Sequence, residues 1–181
     1  MIPSRKRDRK NRRSTTMITM TRRAAIVGGA AFLSGCGSKF MTYTGPQVTR
    51  VEVQKSARQM FLLSGDTVLK AYRVQLGFTA LGPKQFEGDG KTPEGRYHID
   101  RRNPNSDFYL SIGIDYPNAE DRAFAAAQGK KPGGDIFIHG WGDKRRGRSN
   151  DWTAGCIAVN NKEMRHVYAM VQNGTPVDIF A

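Results

Sequence analysis

The chain has 181 residues, room for one domain and a modest extension, and 38% of it is apolar. It carries 29 Lys and Arg against 16 Asp and Glu, a formal charge of +13, but nine of those cations stand before Ala24 with only Asp8 opposing them. A basic run with no interleaved aromatic rings offers bases nothing to stack on, so the charge argues against a nucleic-acid partner and reads as a targeting tail.

Residues 1–36 have the layout of an export signal. The uncharged run Ala24–Ser34 follows Arg22 and Arg23 and runs into Gly35 and Cys36. At about 11 residues it falls far short of the roughly 20 that span a membrane. Leu33-Ser34-Gly35-Cys36 resembles a bacterial lipobox, which makes Cys36 the lipidation candidate; an incidental cysteine in the signal is the alternative. Thr21-Arg22-Arg23 resembles a twin-arginine signal, and Met17 or Met20 would begin a signal of ordinary length. The expected location is the periplasm, with membrane attachment only through a lipid on Cys36. If Cys36 is acylated or removed, Cys156 is left as a lone thiol in an oxidising compartment, a liability unless its chemistry is used.

Residues 37–49 are small, polar and turn-prone and read as a linker, with the catalytic domain expected over 50–181. Val51 and Val53 alternate with polar neighbours as a strand. Residues 60–76 read as a hairpin turning at Ser64-Gly65-Asp66, with Val68, Tyr72, Val74 and Leu76 on one face. Residues 78–95, dense in glycine and proline, read as a loop, and RYHID and FYLSIGID as two further strands. Asn118 and Gly129 bracket a short helix over 118–127. IFIHG and Cys156–Val159 are strands. The helix expected over 161–172 places Met164, Val167, Tyr168 and Val171 at i, i+3, i+4 and i+7, with Asn160 or Asn161 as its cap, and PVDIF is a last strand. The expected fold is mostly β with two short helices.

The chemistry concentrates in IFIHGWGDKRRGRSNDWTAGCIAV, residues 136–159. One strand delivers His139, and Gly155-Cys156 opens the next. A thiol is mostly protonated at neutral pH, so a nucleophilic Cys156 needs a base such as His139 within hydrogen-bond reach. Gly155 lets backbone N–H groups approach a reacting carbonyl with no Cβ in the way. His98 and His166 read as exposed side chains, and the histidines and cysteines lack the close ligand pairs of a zinc site.

IHG followed by TAGCIAV, together with GDGKTPEGRYHID upstream, resembles the signature of the L,D-transpeptidases, the YkuD-type catalytic domain. QFEGDGKTPEGRY, IDYPN and DWTAGCIAVNNKEM resemble the branch of small periplasmic murein L,D-transpeptidase-like proteins, and the likeness spans roughly residues 50–181. It implies a β-rich, sandwich-like fold, no cofactor or metal, and peptidoglycan stem peptides as substrate. Cys156 would attack the diaminopimelate carbonyl and form a thioester, with His139 as base. By position, the N–H groups of Gly155 and Cys156 would hold the oxyanion, the Gly140 carbonyl would fix the imidazole tautomer, and Thr153 would shape the loop. Trp141 and Trp152 flank that loop as packing or as cleft lining. Many members carry an arginine two residues after the cysteine, where this chain has Ala158. Lys91, Arg145, Arg146 and Arg148 are the candidates to supply that charge. The acyl acceptor stays open between a second stem peptide, an outer-membrane lipoprotein and water, the last making a carboxypeptidase or an amidase that releases lipoprotein. A cell-wall-binding module with weak catalysis is the non-enzymatic reading.

Overall fold

A computed structural model describes residues 38–79, 81–143 and 150–181. The expected signal with Cys36, and the candidates Arg145, Arg146 and Arg148, lie outside the described residues. Among the described residues no helix is long and apolar enough to cross a membrane.

Among the described residues are eight strands and two helices: β1 (Arg50–Gln54), β2 (Gln59–Ser64), β3 (Thr67–Arg73), β4 (Gly95–Asn103), β5 (Ser111–Ile114), α1 (Ala119–Ala127), β6 (Phe137–His139), β7 (Ile157–Ala158), α2 (Asn161–Met170) and β8 (Pro176–Phe180). The mostly-β expectation with two helices holds. The strands form one sheet in the order β3-β2-β1-β8-β4-β5-β6-β7. The sheet curls until its ends meet: past β3, Gln75 bridges Ala158, with N–H···O bonds of 2.9 and 2.8 Å in the two directions. Curling buries one face around Val51, Val53, Leu62, Tyr97, Ile112, Ile138, Ile157 and Ile179, each at most 2% exposed.

Strand alternation explains most of this burial, and one bulge explains the exception. Leu62 pairs with Lys70 but Leu63 pairs with Val68, so Leu69 is an extra residue and packs half-buried on the core. Val68, expected inward with Tyr72, Val74 and Leu76, is therefore 50% exposed while the other three are buried. Pairing also begins before Arg50: Val48 is buried, and the Thr49 N–H donates to the Leu63 carbonyl at 2.8 Å.

Both helices are closed at the N-terminus by a capping box, Asn118 with Asp121 for α1 and Asn160 with Glu163 for α2. α2 stops at Met170, two residues short of the expected end. The Arg102 guanidinium donates to the Tyr168 and Val171 carbonyls there and stacks on the Tyr168 ring at 4.0 Å, satisfying carbonyls that a further turn would have used. Among the described residues of 78–94 there is no regular element, yet this loop is pinned. Buried Lys55 donates to the Gly82 and Thr92 carbonyls and to Glu94, at 2.7, 3.0 and 2.7 Å. Asp89 accepts from the Gln85, Phe86 and Lys91 amides and from Lys84.

Candidate active site

The free thiol of Cys156 stands at the head of β7, and His139 ends the neighbouring parallel strand β6, with His139 registered on Ala158. Both side chains line one cleft of about 290 Å³ whose wall also includes Phe108, Ser111, Asp135 and Phe137. Parallel pairing of two short strands, β6 running into Gly140 and β7 leaving the turn at Gly155, is what carries these distant residues together.

Gly155 makes the approach of the thiol feasible. Its φ is +131°, and a Cβ there would lie 2.5 Å from the Lys91 carbonyl oxygen and 3.2 Å from Ile136 Cδ1. The pinned loop therefore packs its backbone directly against the turn that presents Cys156. Thr153 is buried inside that turn. Its hydroxyl donates to the Cys156 carbonyl at 2.7 Å and accepts the Gly155 N–H at 3.2 Å. The Gly155 amide thus already has an acceptor, which it must leave before it can serve an oxyanion.

The thiol sulfur receives the Phe137 N–H at 3.4 Å and lies 3.5 Å from the Asp135 carbonyl. Burial pushes the Cys156 thiol up; the Phe137 N–H and the Lys84 and Arg101 cations oppose this without cancelling it, and the Asp135 charge adds to it. His139 is 3% exposed, and its Nδ1 sits 2.6 Å from the Gly140 carbonyl oxygen. A carbonyl only accepts, so Nδ1 carries a proton, and in the neutral ring the lone pair is then on Nε2. Phe108 lies against the imidazole at 4.5 Å between centroids and Trp152 meets it edge-on at 5.7 Å, and the Trp152 indole is tied to Gln75 by a 2.6 Å hydrogen bond. Gly140 leaves no space for a side chain: a Cβ would stand 2.7 Å from both Asn161 Oδ1 and the Phe108 carbonyl.

The other candidates fall around this centre. Trp141 lines a separate cleft of about 540 Å³ with Arg58, Arg73, Gln75 and Asp151, and its indole N–H is buried with no partner among the described residues. Lys91 touches the site through its backbone oxygen at Gly155. His98 is exposed beside Asp115, as expected, whereas His166 is half-buried on α2. Sequence reading passed over Asn161, taking it only as an alternative cap. Asn160 does the capping, and the Asn161 amide holds Gly142 from both sides, accepting its N–H at 3.0 Å and donating to its carbonyl at 2.9 Å. The paired asparagines at a helix start were the one available signal. Phe108, Asp135 and Phe137 gave none, because their place in the cleft follows from register.

Residues 48–179 match the family of L,D-transpeptidase catalytic domains called YkuD. The chain is 34% identical over 106 residues to YafK of Escherichia coli K12, a protein provisionally named an L,D-transpeptidase, a match covering 58% of this chain and 37% of YafK. It thus spans well under two thirds of that relative. Among solved structures it is similar to the helical cell shape determining protein Pgp2 of Campylobacter jejuni, with 27% identity, a TM-score of 0.58 and coverage of 80% of this chain and 51% of Pgp2. It shares its fold with Bd1075 of Bdellovibrio bacteriovorus, at 22% identity and TM-score 0.53, over 78% of this chain and 51% of that one.

Proposed function

The chain belongs to the L,D-transpeptidase catalytic-domain family, and from that premise we propose that it performs acyl transfer on peptidoglycan stem peptides through Cys156. The observation that carries this reading is the shared cleft, which a half-buried thiol and a buried imidazole of defined tautomer both line. His139 Nε2 takes the thiol proton as sulfur bonds to the diaminopimelate carbonyl carbon. The oxyanion is held by the Cys156 amide and by the Gly155 amide once it leaves Thr153. The C–N bond then breaks, the imidazolium returns its proton to the leaving D-alanine amine, and a thioester remains. An incoming amine gives its proton to His139 and displaces the sulfur. The Phe137 N–H stabilises the transient thiolate at both stages, a task for a donor fixed in place by the backbone.

Water as acceptor is the second reading, and Ala158 favours it. That side chain is wholly buried, so the cation many members carry there, suited to a substrate carboxylate, has no counterpart at this position. Lipoprotein attachment or release, and a part in cell shape like the one named for Pgp2, belong to this proposal, as does export to the periplasm through residues 1–36.

Incubation of the purified protein with disaccharide tetrapeptide, followed by mass spectrometry, tests it. Cross-linked dimers support transfer and tripeptide supports hydrolysis. If neither product forms in a Cys156-dependent way, both readings fail. Replacing His139 by Ala should slow acylation by roughly 10²–10⁴-fold, and a wild-type rate would remove the base assignment.

A further inference from the structure

Beside the thiol stands a pair of opposite charges that the acyl-transfer step does not use. The β4–β5 register jumps from Ile99↔Ile114 to Arg101↔Gly113, so Asp100 is an extra residue. Arg101 lies over Gly113, where a Cβ would stand 2.6 Å from its Cγ and 2.8 Å from its Nε. Only glycine lets the side chain lie down there. Its guanidinium then stacks on the Phe137 ring at 4.5 Å, donates to Asp100 at 2.7 Å through Nη1, and reaches Asp135 at 3.3 Å through Nη2. Asp135 holds φ +55°, uncommon for any residue with a side chain, and its carboxylate is 92% exposed. An ion pair this open adds little to stability. Yet a bulge, a glycine and a left-handed aspartate combine to place it, and such outliers are grounds for a functional hypothesis.

Its position narrows the ligand. Phe137 and Asp135 are the residues whose N–H and carbonyl face the thiol sulfur at 3.4 and 3.5 Å, so the pair flanks any residue whose carbonyl Cys156 attacks. We propose that Arg101 and Asp135 recognise an α-ammonium carboxylate at the end of the acyl donor's side chain, the guanidinium taking the carboxylate and Asp135 the ammonium. The inference rests on the acyl-transfer reading above. Diaminopimelate ends in that group, and lysine offers the ammonium without the carboxylate. The Asp100–Arg101–Asp135 cluster presents both signs, so a zwitterionic group can set its ammonium on Asp135 and its carboxylate on Arg101 with no net charge added, and a planar guanidinium presents five donors, enough for a third carboxylate.

The test compares tetrapeptide stems bearing diaminopimelate or lysine at the third position, reading kcat/KM for thioester formation by intact-mass spectrometry. Wild type should prefer diaminopimelate by roughly ten- to hundredfold, the range of a charge-assisted hydrogen bond. Arg101→Gln should bring that ratio close to one, and Asp135→Asn should weaken both peptides while keeping it. Should Arg101→Gln fail to fold by circular dichroism, Arg101→Lys replaces it and should still lower the ratio, because an ammonium cannot reproduce the fork. A ratio unchanged in the folded variant overturns the proposal. Binding of the same peptides to Cys156→Ala, with and without Arg101→Gln, separates the two claims. Arg101-dependent discrimination without turnover sinks the acyl-transfer reading alone, turnover without discrimination sinks this one alone, and absence of both sinks both.

Discussion

Replacing Gly155 by Ala tests whether the turn before Cys156 is held by the loop of residues 78–94. The substitution asks a residue with a side chain to adopt φ +131°, in a region that only glycine occupies freely, at a cost of about 1–3 kcal/mol. It also drives a Cβ to 2.5 Å from the Lys91 carbonyl oxygen. That atom is backbone, in a loop fixed by Lys55 and Asp89, so relief needs a backbone shift worth about 1–3 kcal/mol more. Together these remove roughly 2–6 kcal/mol from a domain whose whole stability is about 5–15 kcal/mol. At about 3–5 °C per kcal/mol for this size the melting temperature should fall by roughly 6–30 °C. Gly174→Ala is the control: φ is +84° and nothing lies within 4 Å of the new Cβ, so only the backbone term remains, about 1–2 kcal/mol. Thermal melts by circular dichroism read both variants, and acylation of Cys156 reads the site. If Gly155→Ala melts within about 3 °C of Gly174→Ala and acylates normally, the loop does not hold the turn.

Asn161→Ala removes both hydrogen bonds to Gly142 and should cost about 1–3 kcal/mol while slowing acylation, since Gly142 follows closely on the carbonyl that fixes His139. Asn160→Ala removes only the α2 cap, about 1 kcal/mol, and should leave the acylation rate alone; equal rates in the two variants would refute the clamp. For pH, burial first of all pushes the Cys156 thiol up, so the native state holds this proton more tightly than the unfolded chain does. The associated stability is fully present below the ordinary thiol value of about 8.5 and is lost as pH rises through the raised native one. Urea midpoints of wild type should therefore fall more than those of Cys156→Ala between neutral and alkaline pH, and parallel curves would contradict the raised thiol.

The sequence was legible where one local rule governs. Both helices follow from asparagine caps and apolar spacing, and the strands from alternation, because short-range sterics and burial decide them. The end of α2 was misjudged because Arg102, some 70 positions upstream, satisfies its last carbonyls. Val68 was misplaced because a bulge is a register event between two strands and leaves no mark on one of them. The centre of the candidate site was legible through its glycines, each forced by an approaching backbone atom. Its walls were not, since Asp135, Phe137 and Arg101 enter through sheet register and a second bulge.

Ala158 shows how far a family pattern can be carried to a particular chain. The pattern suggests that an arginine there would restore substrate binding. In this chain Ala158 sits where the curled sheet closes, exchanging two backbone bonds with Gln75 and registered on His139, with its side chain wholly buried. An arginine there would bring a guanidinium into the core, and a buried charge left uncompensated costs several kcal/mol. Gln75 also anchors the Trp152 indole against His139, so forcing the closure open would loosen the imidazole as well as the fold. Ala158→Arg is therefore expected to lower the melting temperature by more than about 10 °C and to reduce acylation. Ala158→Met adds bulk without charge and should cost less, about 1–3 kcal/mol, which separates the charge from the crowding. An arginine variant that melts with wild type and gains transfer to an amine would mean that the side chain escapes to the cleft. The departure from the family would then be a lost contact rather than a consequence of how this sheet closes.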